Sequence, residues 1–181
     1  MDHNKLKQLQ VLKERMEQDF RSQFPDSRLW FFSNENKVDG YWGTDAVMFV
    51  GIRPSTGKGG FARPTFNAFY DLLERHGFAH AHVTDLVKES MEVGYPSDAQ
   101  VDRNWPYFLE ELSIVDPIVV VALGRWVFDE LHKRWDRLVP LRRVTHYAFR
   151  YGSRSKIGQQ LDEEFQRLRK DLGGWQGRYQ P

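Results

Sequence analysis

The chain has no cysteine among its 181 residues, which excludes disulfides, thiolate zinc sites, cysteine nucleophiles and cysteine-ligated iron–sulfur clusters. It also has no apolar run that approaches 18 residues, and its N-terminal stretch MDHNKLKQLQVLKERMEQDF is charged and amphipathic. We therefore expect neither a membrane span nor a signal peptide, and a cytoplasmic protein. Because 181 residues are the size of one domain and the sequence shows no internal repeat, low-complexity segment or second-domain boundary, we expect a single domain over 1–181.

An excess of charge of one sign is lacking too, since the formal net charge is only +1. The basic residues are nevertheless unevenly placed. The segment 133–156 carries eight lysines and arginines against one acid, Asp136. Such a segment could follow the phosphate backbone of a nucleic acid. The alternative is a solvated basic face that is balanced by the acidic segment around Glu110 and Glu111.

Hydrophobic periodicity predicts helices that alternate with strands. Helices are predicted over 4–24, 65–78, within 100–114, over 125–133 and over 156–172, and strands over 46–52, 82–87, 117–124 and 141–147. The first strand, AVMFVGI, is a continuous apolar run, typical of a strand that is buried on both faces of a parallel sheet. The sequence therefore predicts an α/β fold, a three-layer α/β/α sandwich with a mainly parallel central sheet of about four strands. Its core spans 46–172, and a loose tail follows over 173–181.

Ligands of such folds bind at the carboxyl ends of the strands, and the loop after the first strand, FVGIRPSTGKGG, looks like a phosphate-binding loop. A true P-loop has four residues between its glycines and a hydroxyl residue after its lysine. Here five residues separate Gly51 from Gly57, and Lys58 is followed by another glycine. We therefore do not expect a kinase or ATPase. The backbone could still approach a ligand closely, with Phe61 as a flat face for a base; the alternative is a glycine-rich turn with a core phenylalanine.

Two residues near the ends of other predicted strands are candidates for chemistry. Asp85 could act as a general base or accept hydrogen bonds from a nucleobase, and its alternative is the N-cap of a helix. His146 could stabilise negative charge on a leaving group, and its alternative is a structural histidine. The histidines His76, His80 and His82 have no carboxylate or cysteine at a ligand spacing, so no metal and no cofactor are expected.

Taken in order, these loops resemble the uracil-DNA glycosylase superfamily, closest to the branch specific for mismatched uracil or thymine. The GINPG-type loop of that branch is matched by VGIRPS, and its phenylalanine, HPxN element and aromatic pair by FARPTFNAFYDLLERHGF. Its ILGKxA strand and helix resemble VVVALGRWVFDEL, and its duplex-penetrating loop resembles VTHYAFRYGSR. The resemblance covers roughly 46–172, and the absence of cysteine agrees with the branches that lack an iron–sulfur cluster.

The resemblance implies a DNA repair enzyme that flips a nucleotide out of DNA, stacks its base on an aromatic ring and hydrolyses the N-glycosidic bond. It suggests catalytic roles for Asp85 and His146, a monomer, and duplex or single-stranded DNA as the partner. Carried over by position, the base-binding residues would be Gly51, Ile52, Arg53, Pro54, Ser55, Phe61 and Asn67. The residues on the DNA backbone would be Lys58, Arg125, Arg150, Ser153 and Arg154, with Tyr147 or Phe149 as a wedge.

One position departs from the family pattern. Arg53 occupies the place where the family has an asparagine, or other branches an acid, that orients or activates the attacking water. A guanidinium cannot accept a proton, so that activation is absent here and Asp85 could replace it. Alternatively, Arg53 marks a nucleic-acid-binding or damage-recognition module that does not hydrolyse the bond. A third possibility is a small nucleotide-binding protein that engages no polymer.

Overall fold

The computed structural model describes residues 2–54, 63–90, 94–147 and 154–176, with only the backbone for 63–66, 154–157 and 174–176. The helices are α1 His3–Gln23, α2 Arg63–Arg75, α3 Asp98–Val115, α4 Arg125–Arg134 and α5 Arg154–Gln176. The strands are β1 Asp45–Gly51, β2 Ala81–Asp85, β3 Val119–Leu123 and β4 Leu141–Val144, and a 3₁₀ turn, Gly40–Trp42, precedes β1. Each predicted helix and strand is present, in the predicted order.

The four strands form one sheet in the order β2-β1-β3-β4, and every neighbouring pair is parallel. The chain runs from β1 through α2 to β2 on one side, and then through α3 to β3 on the other side of β1. The connections after β1 and β3 therefore leave in opposite directions. A ligand crevice is expected at such a switch point, outside the carboxyl ends of the strands.

Alternation along β1 divides the core between the two faces of the sheet. Val47 and Phe49 contact one cluster, which includes buried residues of α2 and α5, whereas Met48 and Val50 contact the other, which includes residues of α3 and α4. The Phe49 ring stacks on Phe165 of α5 at 5.5 Å between ring centroids. Helices on both faces of a parallel sheet confirm the predicted α/β/α sandwich.

Several predicted boundaries were wrong by two or three residues. Helix α2 ends at Arg75 rather than at 78, β2 ends at Asp85 rather than at 87, and β3 begins at Val119 rather than at 117. Strand β4 ends at Val144 rather than at 147, and just beyond it the Thr145 main-chain N–H donates to the Glu164 carboxylate of α5 at 2.6 Å. Helix α5 begins at Arg154, two residues early, and includes the first four residues of the predicted tail. The last residues of that tail lie outside the described part of the chain.

Within the described ranges, we find no helix that combines the length and the apolar character needed to cross a membrane.

Candidate active site

The carboxyl edge of the sheet brings together residues that are far apart in the sequence. Asp85 closes β2 and pairs in register with Gly51 at the end of β1. The Leu86 and Val87 N–H groups still donate to the carbonyls of Gly51 and Ile52, at 2.9 and 3.1 Å, before the chain leaves the sheet. The predicted base-reading loop and the predicted carboxylate are therefore neighbours on adjacent strands.

The Asp85 side chain packs directly against Gly51. A Cβ atom on Gly51 would lie only 2.2 Å from Asp85 Oδ1, so a larger residue there would require the carboxylate to move. Asp85 is 5% exposed. Burial raises its pKa from 3.8 to about 7, although the cations of Lys88 and Arg53 oppose that rise. A carboxylate that titrates near neutral pH can accept a proton from water, which an ordinary aspartate does poorly.

The helix N-cap alternative for Asp85 is wrong. Two bend residues follow β2, and the next helix, α3, begins only at Asp98. Its cap is Ser97, whose hydroxyl accepts from the Gln100 N–H while the Gln100 side chain accepts from the Ser97 N–H. Ser97 and Gln100 thus form the capping box of α3. Because no helix begins directly after Asp85, this aspartate caps none.

Arg53 joins two loops at the same edge. Its Nε and Nη2 atoms donate to the Gly94 carbonyl at 2.9 and 2.6 Å, and Nη1 donates to the Pro54 carbonyl at 3.0 Å. Burial lowers the pKa of Arg53, while the Asp85 carboxylate raises it. The guanidinium therefore links the loop after β1 to the loop before α3 by hydrogen bonds. Its positive charge also favours the ionised form of Asp85.

His146 follows β4, an edge strand of the sheet, by two residues. Its ring stacks on Tyr147, with centroids 4.6 Å apart, and Tyr147 stacks on the buried Phe69 of α2 at 4.4 Å. Burial lowers the pKa of His146 to about 4, so the imidazole is neutral at pH 7. Gly124 has a φ of +100°, and a Cβ on it would lie 3.1 Å from His146 Cβ. His146 is therefore held by its neighbours as a neutral ring.

Tyr147, one of the two predicted wedges, is stacked between Phe69 and His146. Its ring is engaged in both stacking contacts, so it would have to leave Phe69 and His146 in order to enter a duplex. Burial raises its pKa, and the charge of Asp85 raises it further. The other predicted wedge, Phe149, lies outside the described residues.

A buried polar network behind Asp85 was missed by sequence reasoning. The Lys88 ammonium donates to the Asp85 carbonyl at 2.7 Å and to Glu111 Oε2 at 2.8 Å. The Thr84 hydroxyl donates to the same Glu111 oxygen at 3.0 Å. Burial opposes the ionisation of Glu111, but Lys88 and His82 outweigh it, so the pKa of Glu111 lies below its ordinary value. The only sequence signal was a pair of charged residues inside apolar stretches, DLVKES and FLEELSIV.

The position of Glu111 in this network corrects the prediction that an acidic segment around Glu110 and Glu111 balances the basic segment 133–156. Glu111 is fully buried and cannot balance surface charge, whereas Glu110 is half-exposed and pairs with Arg15 of α1. The basic segment is also partly neutralised locally, because Arg134 contacts Glu130 and Asp102.

The rim of the edge carries an exposed cation and a ring pair. Arg125 opens α4 with its side chain 83% exposed, and its Nε is 3.4 Å from Asp129 one turn later. Tyr95, which is 64% exposed, stacks on Trp126 at 5.5 Å and 19°. Asn67, the predicted base-reading amide, is exposed in α2. These groups can contact a ligand that reaches over the edge.

Several predicted site residues lie outside the described residues, and Arg154 is described by its backbone alone, at the start of α5. Those outside are Ser55, Lys58, Phe61, Arg150 and Ser153. The predicted residues that the structure brings to the sheet edge are Gly51, Ile52, Arg53, Pro54, Asp85, Arg125 and His146.

The histidine trio is not assembled around a metal. His76 bonds to Asp162 and His80 to Asp39, each at 2.9 Å, while His82 is buried. Across the described residues, no group of three potential ligands could hold a metal ion. Near His76, a surface depression of about 570 Å³ is lined by Arg75, His76, Gly77, Gln166, Arg169 and Lys170. It lies where α2 ends, away from the carboxyl edge.

Comparison with protein-family models and with curated proteins found no match to this chain.

Proposed function

We propose that this chain is a DNA glycosylase-like enzyme of base-excision repair, which binds a flipped uracil or modified base and hydrolyses its N-glycosidic bond. The observation that carries the proposal is the pairing of Asp85 with Gly51 at the switch-point edge, where the carboxylate is buried and titrates near neutral pH. The family resemblance of the loops supplies the substrate class.

In the proposed reaction, the bond between the sugar C1′ and the base nitrogen breaks, and its electron pair leaves with the base. Water adds to C1′, and its proton passes to the Asp85 carboxylate. A base with a pKa close to the working pH suits this transfer. The nearby guanidinium of Arg53 favours the charged form of Asp85 without accepting a proton itself.

His146 would stabilise the departing base anion. Because its pKa is lowered to about 4, it would act as a neutral hydrogen-bond donor and not as an imidazolium. A donor held in place before the reaction stabilises developing charge without reorganisation. The stack of His146 on Tyr147, and of Tyr147 on Phe69, supplies that preorganisation.

The DNA would be held at the rim. Arg125 can neutralise a phosphate, and the exposed Tyr95 ring, backed by Trp126, can stack on an unpaired base.

We further propose that the protein works as a cytoplasmic monomer. Sedimentation of the free and DNA-bound protein would test the stoichiometry.

A strand-cleavage assay tests the activity. Labelled duplexes with uracil opposite guanine, uracil opposite adenine, hypoxanthine, or hydroxymethylated or glucosylated pyrimidines would be incubated with protein and then cut with alkali at abasic sites. We expect abasic product from at least one substrate, and its loss in Asp85→Asn. Product that is unchanged in Asp85→Asn would contradict the role of Asp85.

The alternative is a non-catalytic recognition module of the same superfamily. It is favoured by Arg53, which fills the water-activating position with a group that is hydrogen-bonded to two loop carbonyls. The variant Arg53→Asn restores the family residue and distinguishes a glycosylase from a recognition module. If the wild type cleaves nothing but binds DNA in a salt-sensitive way, and Arg53→Asn gains cleavage, the native chain is the recognition module.

A further inference from the structure

We propose that Lys88 and Glu111 form a buried charge pair that positions Asp85 at the sheet edge, with Lys88 as the positioning residue. Its ammonium contacts the main-chain carbonyl of Asp85 at 2.7 Å and the Glu111 carboxylate at 2.8 Å. The role of the pair in turnover rests on the proposed function, whereas its effect on Asp85 does not.

The geometry pins the chain on both sides of Asp85. Thr84, which precedes it, and Lys88, which follows it by three residues, both donate to the same oxygen, Glu111 Oε2. The Lys88 main-chain N–H is also held, because it donates to Asn104 Oδ1 at 3.0 Å. One carboxylate on α3 thus fixes the turn by which the chain leaves β2.

Stability alone does not account for this pair. Lys88 is 1% exposed and Glu111 is 0% exposed, so both charges are removed from water at a large desolvation cost. Well-packed apolar residues in place of a buried ion pair are often neutral or stabilising. A positioning role explains why charges are found here.

The charges of Lys88 and Glu111 also affect the pKa of Asp85. Four groups interact electrostatically with its carboxylate: Arg53 from the loop after β1, Lys88 after β2, Glu111 from α3 and Tyr147 after β4. Among them, Lys88 has the largest effect on the pKa of Asp85 and lowers it, while Glu111 has a smaller, opposite effect. Removal of both charges should therefore raise the pKa of Asp85.

The test is the double variant Lys88→Met with Glu111→Gln, in which the amide can still accept from Thr84. The carboxyl carbon of Asp85 would be followed by NMR from pH 4 to 9 without substrate. We expect an upward shift of its midpoint. If the glycosylase activity is present, its pH profile should move in the same direction.

The matched control is Glu89→Gln with Arg103→Met, a second ion pair between the same post-β2 segment and α3. Glu89 accepts from Arg103, Asn104 and Ser27 and makes no contact with Asp85 among the hydrogen bonds of the described residues. We expect this control to change the melting temperature and leave the titration of Asp85 in place.

An unchanged Asp85 midpoint in the folded double variant would overturn the inference, as would an equal shift in the control. If the double variant does not fold, Lys88→Gln with Glu111→Gln takes its place, since it keeps a donor for the Asp85 carbonyl and removes both charges together. An upward shift there supports the inference, and an unchanged midpoint overturns it. Absence of glycosylase activity would refute the proposed function and leave this result standing.

Discussion

Replacement of Asp85 by asparagine should stabilise the protein at neutral pH while it removes the proposed activity. The substitution keeps the shape of the side chain beside Gly51 and removes the charge. Burial is the main cause of the raised pKa, which means that the ionised carboxylate is unfavourable in the folded state. Residues kept for chemistry commonly lower stability in this way.

The size and sign follow from proton linkage. A pKa raised from 3.8 in the unfolded chain to about 7 in the fold corresponds to at most about 4 kcal/mol of destabilisation once Asp85 is ionised. Between these two pH values the folded protein binds more protons than the unfolded one, so the contribution of Asp85 makes stability fall as pH rises. We expect Asp85→Asn to gain about 2 to 4 kcal/mol at pH 8 and to approach the wild type near pH 4.

Chemical denaturation of both proteins at intervals between pH 4 and 8 measures this difference. The control is Asp136→Asn, because the Asp136 side chain is 83% exposed and its removal should change stability little at any pH. A stability difference that stays constant across the range, or that grows toward low pH, would refute the reasoning. Either result would mean that Asp85 is not a buried group titrating near neutrality.

Three further predictions concern neighbouring positions. Gly51→Ala should destabilise the fold and abolish turnover, because the new methyl meets a carboxylate oxygen at 2.2 Å, whereas Gly158→Ala, where nothing lies within 4 Å, should be neutral or stabilising in thermal unfolding. The imidazole of His146 should stay neutral from pH 5.5 to 8 in an NMR titration, and a midpoint near its ordinary value of 6.5 would contradict the lowering of its pKa by desolvation. Tyr95→Ala should weaken single-stranded oligonucleotide binding by about 1 to 3 kcal/mol, with fully exposed Leu138→Ala as the control; equal affinities would remove Tyr95 from the interface.

The layered fold could be predicted because its signals are local. The apolar run of β1 and the helical periodicity of α1 each lie within one element, and both were predicted within a residue or two. The βαβ alternation then restricts the topology to parallel strands with right-handed crossovers. The shortened β4 could not be predicted, because the strand-like pattern of the sequence continues past Val144, and the contact that follows joins Thr145 to Glu164, 19 residues away.

Some residues of the candidate site could likewise be predicted from the sequence, whereas their long-range contacts could not. Strand-end position alone identified Asp85 and His146, since any parallel sheet collects such residues at one edge. The bracing role of Arg53 required a loop 41 residues away, where Gly94 supplies the carbonyl. Because the sequence shows only the residue type, Arg53 could equally have been assigned to a phosphate or a base.

The fold class, the order of the elements and the edge at which chemistry could occur can be predicted from the sequence, because they follow from hydrophobic period and strand polarity. The electrostatic character of that edge can be seen only in the folded chain. Burial beside Gly51 raises the pKa of Asp85, and contacts that are distant in sequence place the Lys88 and Glu111 charges behind it. Desolvation and charge proximity depend on three-dimensional packing, which no local pattern encodes.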